Sequence, residues 1–436
     1  MKEEINRCIE TVKTEDPSIN RRRVSGASLP EGWKSIPLRK IVKKVSETNR
    51  GNTIKEVFSN SAQNGIVSQQ EYFEKEIANE ENTENYTVVR PNDFVYNPRI
   101  SSAAPYGPIN MNKQNRVGIV SPLYTVFRQI NEGEVSAEYL ECYLASSQWH
   151  RYVYSVSNQG ARHDRMNITD DEFFNMPIEY PPLPNQKRII EILSSCSETI
   201  KLYKQKAEQL QLLKKILLEK MFPEKDENTP EIRFTGFTSN WEQHKLGEIA
   251  SSFEYGLNAA AKEYDGVNKY LRITDIDDSS HAFKNDDLTS PDVDLSAADG
   301  YRLHNGDILF ARTGASVGKT FIYRESDSLV YFAGFLIRAK IKPEFDAEFV
   351  YQNTLGPQYQ KYIKITSQRS GQPGINAQEY SEYSLLVPSY TEQRKIGGLL
   401  HLIDSLITLH QRIVALQGQK KKALIQLLLK GIVNIK

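Results

Sequence analysis

The stretch Pro182-Leu183-Pro184-Asn185-Gln186-Lys187-Arg188-Ile189 decides the fold, because its last four residues recur in similar form as Gln393-Arg394-Lys395-Ile396. The two copies lie 207 residues apart, and the same offset relates Leu193 to Leu400. Further upstream, Trp33-x4-Leu38-x2-Ile41 recurs as Trp241-x4-Leu246-x2-Ile249. A repeat of this length indicates that the chain contains the same structural unit twice.

Long helices are predicted after both glutamines. Apolar residues follow intervals of three and four from position 189 to 221 and again from 396 to 428, the pattern of a coiled-coil seam. Pro223 should end the first helix and Gly431 the second. A helix over 186–222 would be about 55 Å long, and we expect the two helices to pair antiparallel.

The second helix carries an additional apolar stripe beside its seam. This stripe is wider than a two-helix contact needs, which predicts burial against a further partner. Its members are Leu399, Leu402, Leu406, Leu409, Ile413 and Leu416.

The segments between the helices are predicted to be globular. Short runs rich in aromatic and β-branched residues, such as Leu123–Phe127 and Leu336–Ala339, alternate with Gly, Asn and Pro, and helix-like stretches lie near 138–154 and 346–363. The predicted fold class is α+β, with two similar domains separated by an antiparallel coiled coil in a pseudo-twofold repeat. The boundaries are 1–28 (helix or linker), 29–180 (first domain), 181–225 (first helix), 226–390 (second domain) and 391–436 (second helix).

Composition excludes several classes of protein. The 436 residues carry 55 Lys and Arg against 55 Asp and Glu, the mean hydropathy is −0.53, and no apolar run approaches 18 residues, so no membrane segment is expected. The start has no apolar signal sequence, and the three cysteines are too few and too scattered for a disulfide framework. These features predict a protein of the cytoplasm.

Motifs of catalysis are incomplete. Gly314-Ala-Ser-Val-Gly318-Lys-Thr320 has three residues between its glycines where a phosphate-binding loop has four. The seven histidines show no zinc-binding spacing. Asn97-Pro98-Arg99 lacks the second proline and the aromatic residue by which amino-methyltransferases hold an extruded base. The residues predict no catalytic or metal site, but they leave open an enzyme, a DNA-binding protein and a structural coiled-coil protein.

The order of these elements resembles the specificity (S) subunit of type I restriction–modification systems. The resemblance rests on both Trp-x4-Leu-x2-Ile segments, on both Pro-x4-Gln-[Lys/Arg]2-Ile segments and on Asp307-Ile-Leu-Phe-Ala-Arg-Thr-Gly314. It covers nearly the whole chain, although the first 28 residues are longer than the expected lead-in.

The resemblance implies a non-catalytic, DNA-binding subunit with two target-recognition domains, each reading half of a split target on double-stranded DNA. It also implies two methyltransferase (M) subunits that pack on the helices and methylate adenine N6, and restriction (R) subunits that add cleavage. S-adenosylmethionine, ATP and Mg²⁺ would be used by those partners, and this chain would bind no cofactor. The helices would then set the spacer between the half-sites.

Candidate DNA-contacting residues share side chains suited to base edges or phosphates. Arginine reads guanine through two hydrogen bonds, asparagine and glutamine read adenine, and glycine permits close approach of the backbone. In the first domain they are Arg99, Ser101, Tyr106, Asn158, Gln159, Gly160, Arg162, His163 and Arg165, with Asn60, Gln63 and Asn64 ranked lower. In the second they are Arg272, Arg312, Thr313, Ser316, Lys319, Gln368, Arg369, Ser370, Gly371 and Gln372. The alternative is that these polar loops only separate strands.

Overall fold

The computed structural model describes residues 29–432 apart from 73–82, 158–163, 225–226, 279, 285 and 326–328. The chain divides into two compact units, and the divisions fall inside the long helices, between Lys201 and Leu202 and between Val414 and Ala415. Each unit therefore contains one α+β domain and a part of each long helix. The helix expected within residues 1–28 lies outside the described residues.

The domain of the first unit is built on an antiparallel four-stranded sheet in the order β2-β9-β6-β7. Two-stranded pairs β1–β10, β3–β4 and β5–β8 accompany it. The strands are β1 (Lys34–Pro37), β2 (Val42–Lys44), β3 (Phe58–Ser61), β4 (Gly65–Ser68), β5 (Thr87–Val89), β6 (Phe94–Tyr96), β7 (Ile109–Met111), β8 (Gly118–Val120), β9 (Thr125–Gln129) and β10 (Pro177–Tyr180). The helices are α1 (Gln69–Tyr72), α2 (Ala137–Leu144), α3 (His150–Val156), α4 (Asp170–Phe174) and α5 (Leu183–Lys220), of which α5 continues into the second unit.

The second domain has a similar plan, with the sheet β12-β19-β16-β17 and the pairs β11–β20, β13–β15 and β14–β18. The pair β14–β18 is parallel, whereas β5–β8 is antiparallel. Its strands are β11 (Glu242–Lys245), β12 (Ala250–Tyr255), β13 (Ala260–Glu263), β14 (Lys269–Leu271), β15 (Thr289–Asp292), β16 (Ile308–Ala311), β17 (Thr320–Ile322), β18 (Val330–Phe332), β19 (Leu336–Ile341) and β20 (Ser384–Val387). Its helices are α6 (Leu246–Ile249), α7 (Ala347–Asn353), α8 (Pro357–Thr366), α9 (Ala377–Ser381) and α10 (Tyr390–Leu429). The repeated order of strands and helices confirms the predicted fold class.

The seam residues of the long helices lie in the cores of both units. In the first unit Ile189 and Leu193 of α5 share a core with Leu424 and Leu428 of α10. In the second unit Leu217 of α5 packs against a core that contains Ile396 and Leu400 of α10. Because the start of each helix meets the end of the other, the pairing is antiparallel in each unit, as predicted.

The ends of these helices differ slightly from the predicted ones. Helix α5 begins at Leu183, so Pro184 lies in its first turn, where a missing N–H breaks no helical hydrogen bond. It ends at Lys220, before Pro223. Helix α10 ends as predicted, because Gly431 has a φ of +61° and its N–H donates to the Leu428 carbonyl oxygen at 3.2 Å.

Two buried glutamines explain why the Pro-x4-Gln segment is repeated. Gln186 Nε2 donates to the Pro181 carbonyl oxygen and Gln393 Nε2 to that of Pro388, both at 2.8 Å. Their Oε1 atoms accept the backbone N–H of the residue before α2, Ser136, and of the residue before α7, Asp346, both at 2.9 Å. Each glutamine thus fastens the start of a long helix to a short helix of its own domain.

Helix α10 is long and apolar enough to span a membrane when judged by length and composition alone, since an 18-residue window reaches a mean hydropathy of 1.3. The expectation that no segment could do so is therefore too strong. Ile396 and Leu400 lie in the core of the second unit and Leu424 and Leu428 in that of the first, although only 17% of the apolar window is buried. The absence of a membrane partner stays a prediction.

Candidate nucleic-acid interface

One end of the β12-β19-β16-β17 sheet brings together two sets of candidates of the second domain, the loop after β16 and the loop 368–375, whereas Arg272 follows β14 of another sheet. Strand β16 is buried along its length and is followed directly by Arg312. The Ile375 N–H donates to the Arg312 carbonyl oxygen at 2.9 Å, and the Gly314 N–H donates to the Pro373 carbonyl oxygen at 3.0 Å. These bonds hold the loop after β16 beside the loop 368–375, so two separately predicted sets of residues lie together.

Arg312 is oriented by an aromatic ring. Its guanidinium carbon lies 5.1 Å from the ring centre of Tyr255, at the end of β12, and Tyr255 is 43% exposed. A cation over an aromatic face is attracted by the electrons of the ring. The Arg312 Nε is buried and has no hydrogen-bond partner in the protein. Tyr255 is a residue that the sequence analysis missed, because no spacing rule links it to a residue 57 positions away.

Three other cations of this domain are engaged internally. Lys319 pairs with Asp278, donates to the Ile276 carbonyl oxygen at 3.2 Å and is only 12% exposed. Arg272 forms two 2.8 Å hydrogen bonds to the Asp275 carboxylate, and Arg369 pairs with Glu379. The paired carboxylates weaken the attraction of these cations for a phosphate.

The neutral candidates of the second domain are accessible. Gln368, Ser370, Gly371 and Gln372 are exposed, whereas Thr313 and Ser316 are half-buried. The segment Gly314–Ser316 is a single turn of 3-10 helix between β16 and β17. Gly314 has a φ of +74°, a conformation that favours glycine. This loop joins two strands, and the prediction that it lies against DNA phosphate stays a prediction.

The first domain brings its described candidates together in a similar way. The Ile100 N–H donates to the Asp164 carbonyl oxygen at 3.0 Å and the Met166 N–H to that of Pro98 at 2.8 Å, so Arg99 and Arg165 form an antiparallel bridge. The Arg99 N–H donates to Asn97 Oδ1 at 3.0 Å. The loop residues Asn158, Gln159, Gly160, Arg162 and His163 lie outside the described residues.

The loop between β6 and β7 carries the candidates Tyr106 and Ser101 as well as Arg99. The rings of Tyr106 and His150 lie 4.7 Å apart, and Tyr154 is 61% exposed at the edge of Tyr106. Ser101 is exposed and closes a tight turn with Ala104. Burial raises the pKa of Tyr124, and the nearby positive charge of Arg99 partly opposes that increase.

Asn60 does not belong to this surface. It is 4% exposed, and its Nδ2 donates to the Val95 carbonyl oxygen at 2.6 Å and to that of Pro108 at 3.1 Å. Its polarity therefore serves the interior of the first domain. The expectation that Asn60 faces DNA is wrong, because the sequence alone does not reveal which face of strand β3 is buried.

The described part of the chain holds no group of three or more His, Cys, Asp or Glu side chains placed to bind a metal ion. What both domains offer instead is an arginine-bearing loop after a buried strand, held beside a second polar loop. Arginine forks and exposed amides can form hydrogen bonds with base edges and phosphates.

Comparison with known proteins identifies the family. The model of the family described as "Type I restriction modification DNA specificity domain" matches residues 30–212 and 238–416, most of the chain. The chain belongs to this family and contains its DNA specificity domain twice. This agrees with the resemblance inferred from the repeats.

Individual relatives are distant in sequence. The type I restriction enzyme MjaVIII specificity subunit of Methanocaldococcus jannaschii is 24% identical over 273 residues, which is 61% of this chain and 64%, or slightly less than two thirds, of that protein.

Two solved structures share the fold. One, from work on complex assembly and conformational transition of the type I R-M system, is 15% identical, with a TM-score of 0.53 and coverage of 94% of this chain and 100% of the other. The type I restriction-modification system S subunit from M. genitalium is 14% identical, with a TM-score of 0.52 and coverage of 91% and 98%.

Proposed function

We propose that this chain is the DNA-reading subunit of a type I restriction–modification complex and recognises a split target, one half with each domain. The single observation that carries this proposal is the repeated surface, in which Arg99 and Arg312 each follow a buried strand and lie beside a second polar loop. Two separate copies of one reading surface suit a target with two halves.

Arginine at the sheet end supplies the specificity. Its planar guanidinium can donate two hydrogen bonds to guanine O6 and N7 in the major groove. Arg312 is held over Tyr255, so less side-chain entropy is lost when it binds. Exposed Gln368 and Gln372 add donors and acceptors suited to adenine.

The long helices form the platform for methyltransferase subunits. Leu402, Leu406 and Leu409 of α10 are 55%, 36% and 51% exposed, and Leu212 and Leu213 of α5 are 60% and 44% exposed. Such apolar surface on a helix pair favours burial against further helices. We propose that two M subunits bind here and that R subunits join them for cleavage in the cytoplasm.

The partner subunits would catalyse methylation and cleavage of the DNA. The M subunits would use S-adenosylmethionine to methylate adenine N6, and the R subunits would use ATP and Mg²⁺, while this chain contributes recognition without catalysis. A stand-alone methyltransferase is the alternative. Radiolabel transfer from S-adenosylmethionine to DNA by the purified chain alone should be absent, and transfer should appear when the M partner is added.

Binding by variants of the assembled complex tests the two readers. Arg312→Ala should relax specificity at one base pair of one half-site, by about 1–3 kcal/mol, and Arg99→Ala should do so in the other half-site. Arg302→Ala is the matched control, because Arg302 is 45% exposed and pairs with Asp299. A loss of specificity spread equally over both half-sites would contradict independent recognition by the two domains.

A further inference from the structure

The two domains share an unusual β-turn. In the first, the Tyr124 N–H donates to the Ser121 carbonyl oxygen, and in the second the Leu336 N–H donates to that of Ala333, both at 2.9 Å. The third residue of each turn is a large apolar side chain that faces solvent. Leu123 is 48% exposed and Phe335 is 62% exposed.

These turns occupy equivalent places in the two domains. Each enters the strand that has a neighbour on both sides, β9 between β2 and β6 in one domain and β19 between β12 and β16 in the other. The strands behind the turns are buried, with Val126 at 1% and Leu336 at 0% exposure. The exposed side chains therefore project from well-packed sheet ends.

Each turn also adjoins the arginine of its domain. The Arg312 N–H donates to the Phe335 carbonyl oxygen at 3.1 Å. In the first domain, Asn97 links the two elements, because its Nδ2 donates to Tyr124 Oη at 3.2 Å while its Oδ1 accepts the Arg99 N–H. The apolar side chains thus belong to the same surfaces as the arginines.

Turn chemistry does not explain these residues, because the third position of a β-turn favours small or polar residues. Scattered exposed apolar side chains are ordinary on protein surfaces. Here, however, the exposure recurs at matching positions of two domains whose intervening sequences diverge. Each time, hydrogen bonds connect the turn to a segment that carries an arginine, directly in the second domain and through Asn97 in the first. A shared partner accounts for this recurrence.

We propose that Leu123 and Phe335 contact DNA directly, each packing against the C5 methyl group of a thymine in the half-site read by its domain. The inference rests on the proposed DNA-reading function. The thymine methyl is the apolar group that base edges present in the major groove, where arginine also reads guanine. An arginine near an exposed apolar side chain suits the major groove, because the guanidinium donates hydrogen bonds to base acceptors while the apolar side chain covers the thymine methyl group.

The test uses the complete complex with its M subunits and its methylation target. Each thymine of one half-site is replaced in turn by deoxyuridine, which lacks only the methyl group. At one position the replacement should weaken binding of the wild type about tenfold. The Phe335→Ala complex should bind the unmodified target with the same weakened affinity, and deoxyuridine at that position should weaken its binding no further. Leu123→Ala should behave in this way in the other half-site.

Val267→Ala is the matched control, since Val267 is an apolar loop residue of the second domain, is 60% exposed and should tolerate truncation without loss of affinity. Thermal unfolding should confirm that all variants are folded. The inference would be overturned if Phe335→Ala bound the target as tightly as the wild type does. It would also be overturned if each deoxyuridine substitution weakened the binding of the variant further by an equal factor. In both cases the wild-type complex would still bind its target, so the proposed function would stand. A wild-type complex that prefers no sequence would overturn the proposed function as well.

Discussion

Lys214 Nζ of α5 lies 2.6 Å from Asp404 Oδ1 of α10 in the second unit. The other carboxylate oxygen of Asp404 accepts a 2.8 Å hydrogen bond from Gln352 Nε2 of α7. The Lys214 and Asp404 side chains are only 13% and 26% exposed. This ion pair therefore joins the two long helices to each other and to the domain, and it places a charged residue in an otherwise apolar seam.

Lys214→Met should destabilise the protein, because it leaves a half-buried carboxylate without its cation. We expect a loss of about 1–3 kcal/mol in the free energy of unfolding of the second unit, measured by urea denaturation. Lys215→Met is the control, since Lys215 is the exposed neighbour on the same helix. Equal midpoints of urea denaturation for Lys214→Met and Lys215→Met would show that the ion pair does not contribute to stability.

Gln393→Leu should weaken the second domain through lost hydrogen bonds. The substitution leaves the Asp346 N–H and the Pro388 carbonyl oxygen without their partner in a site where Gln393 is 2% exposed. A decrease of about 2–4 kcal/mol is expected in chemical denaturation. Gln186→Leu should have a comparable effect on the first unit, and Gln211→Leu, on an exposed face of α5, should have little.

The sequence predicted the repeated architecture well, because heptad spacing and the duplicated glutamines are local signals. It did not predict what the glutamines do, since Ser136 lies 50 residues from Gln186 and the two meet only through packing. Likewise, the predicted strand run Leu336–Ala339 contains Arg338, and the run alone does not show whether this side chain points inward or outward. In the structure it is 1% exposed and paired with Glu254 and Asp307. Which polar residues face inward depends on the burial of each strand face, and spacing alone does not reveal that.

Stability should fall in acid through Glu254. Burial acts to raise the pKa of this carboxyl, but hydrogen bonds from Arg338, Ser252 and Lys340 outweigh it and lower the pKa to about 2. The unfolded chain takes up the proton near pH 4.5, so it binds more protons than the folded protein below that pH. The stabilisation by Glu254 is present above about pH 4.5 and is lost as the pH falls towards 2.

Urea denaturation between pH 5 and 2 measures this effect. Glu254→Gln should be less stable than the wild type at pH 5, and the difference should shrink as the pH is lowered. Glu263→Gln, an exposed glutamate of the same domain, provides the control. A difference that stays constant over this range would contradict the low pKa.

Helix length should set the spacer of the target. Helices α5 and α10 have 38 and 40 residues, and each continues from one unit into the other. Inserting one heptad into both helices at paired positions should lengthen the preferred spacer, whereas insertion into one helix should disrupt pairing and binding. Selection from a library of DNA targets with different spacer lengths would measure this. An unchanged preferred spacer after the matched insertion would refute the claim that helix length sets it.

The central claim is that two separate readers on one chain choose the site at which partner subunits act. Sequencing of modified adenines in DNA from a host that expresses this chain with its M partner tests it most directly. The modified adenines should fall in one two-part motif with a constant unread spacer. Modification within a single uninterrupted motif, or without any sequence preference, would contradict the claim.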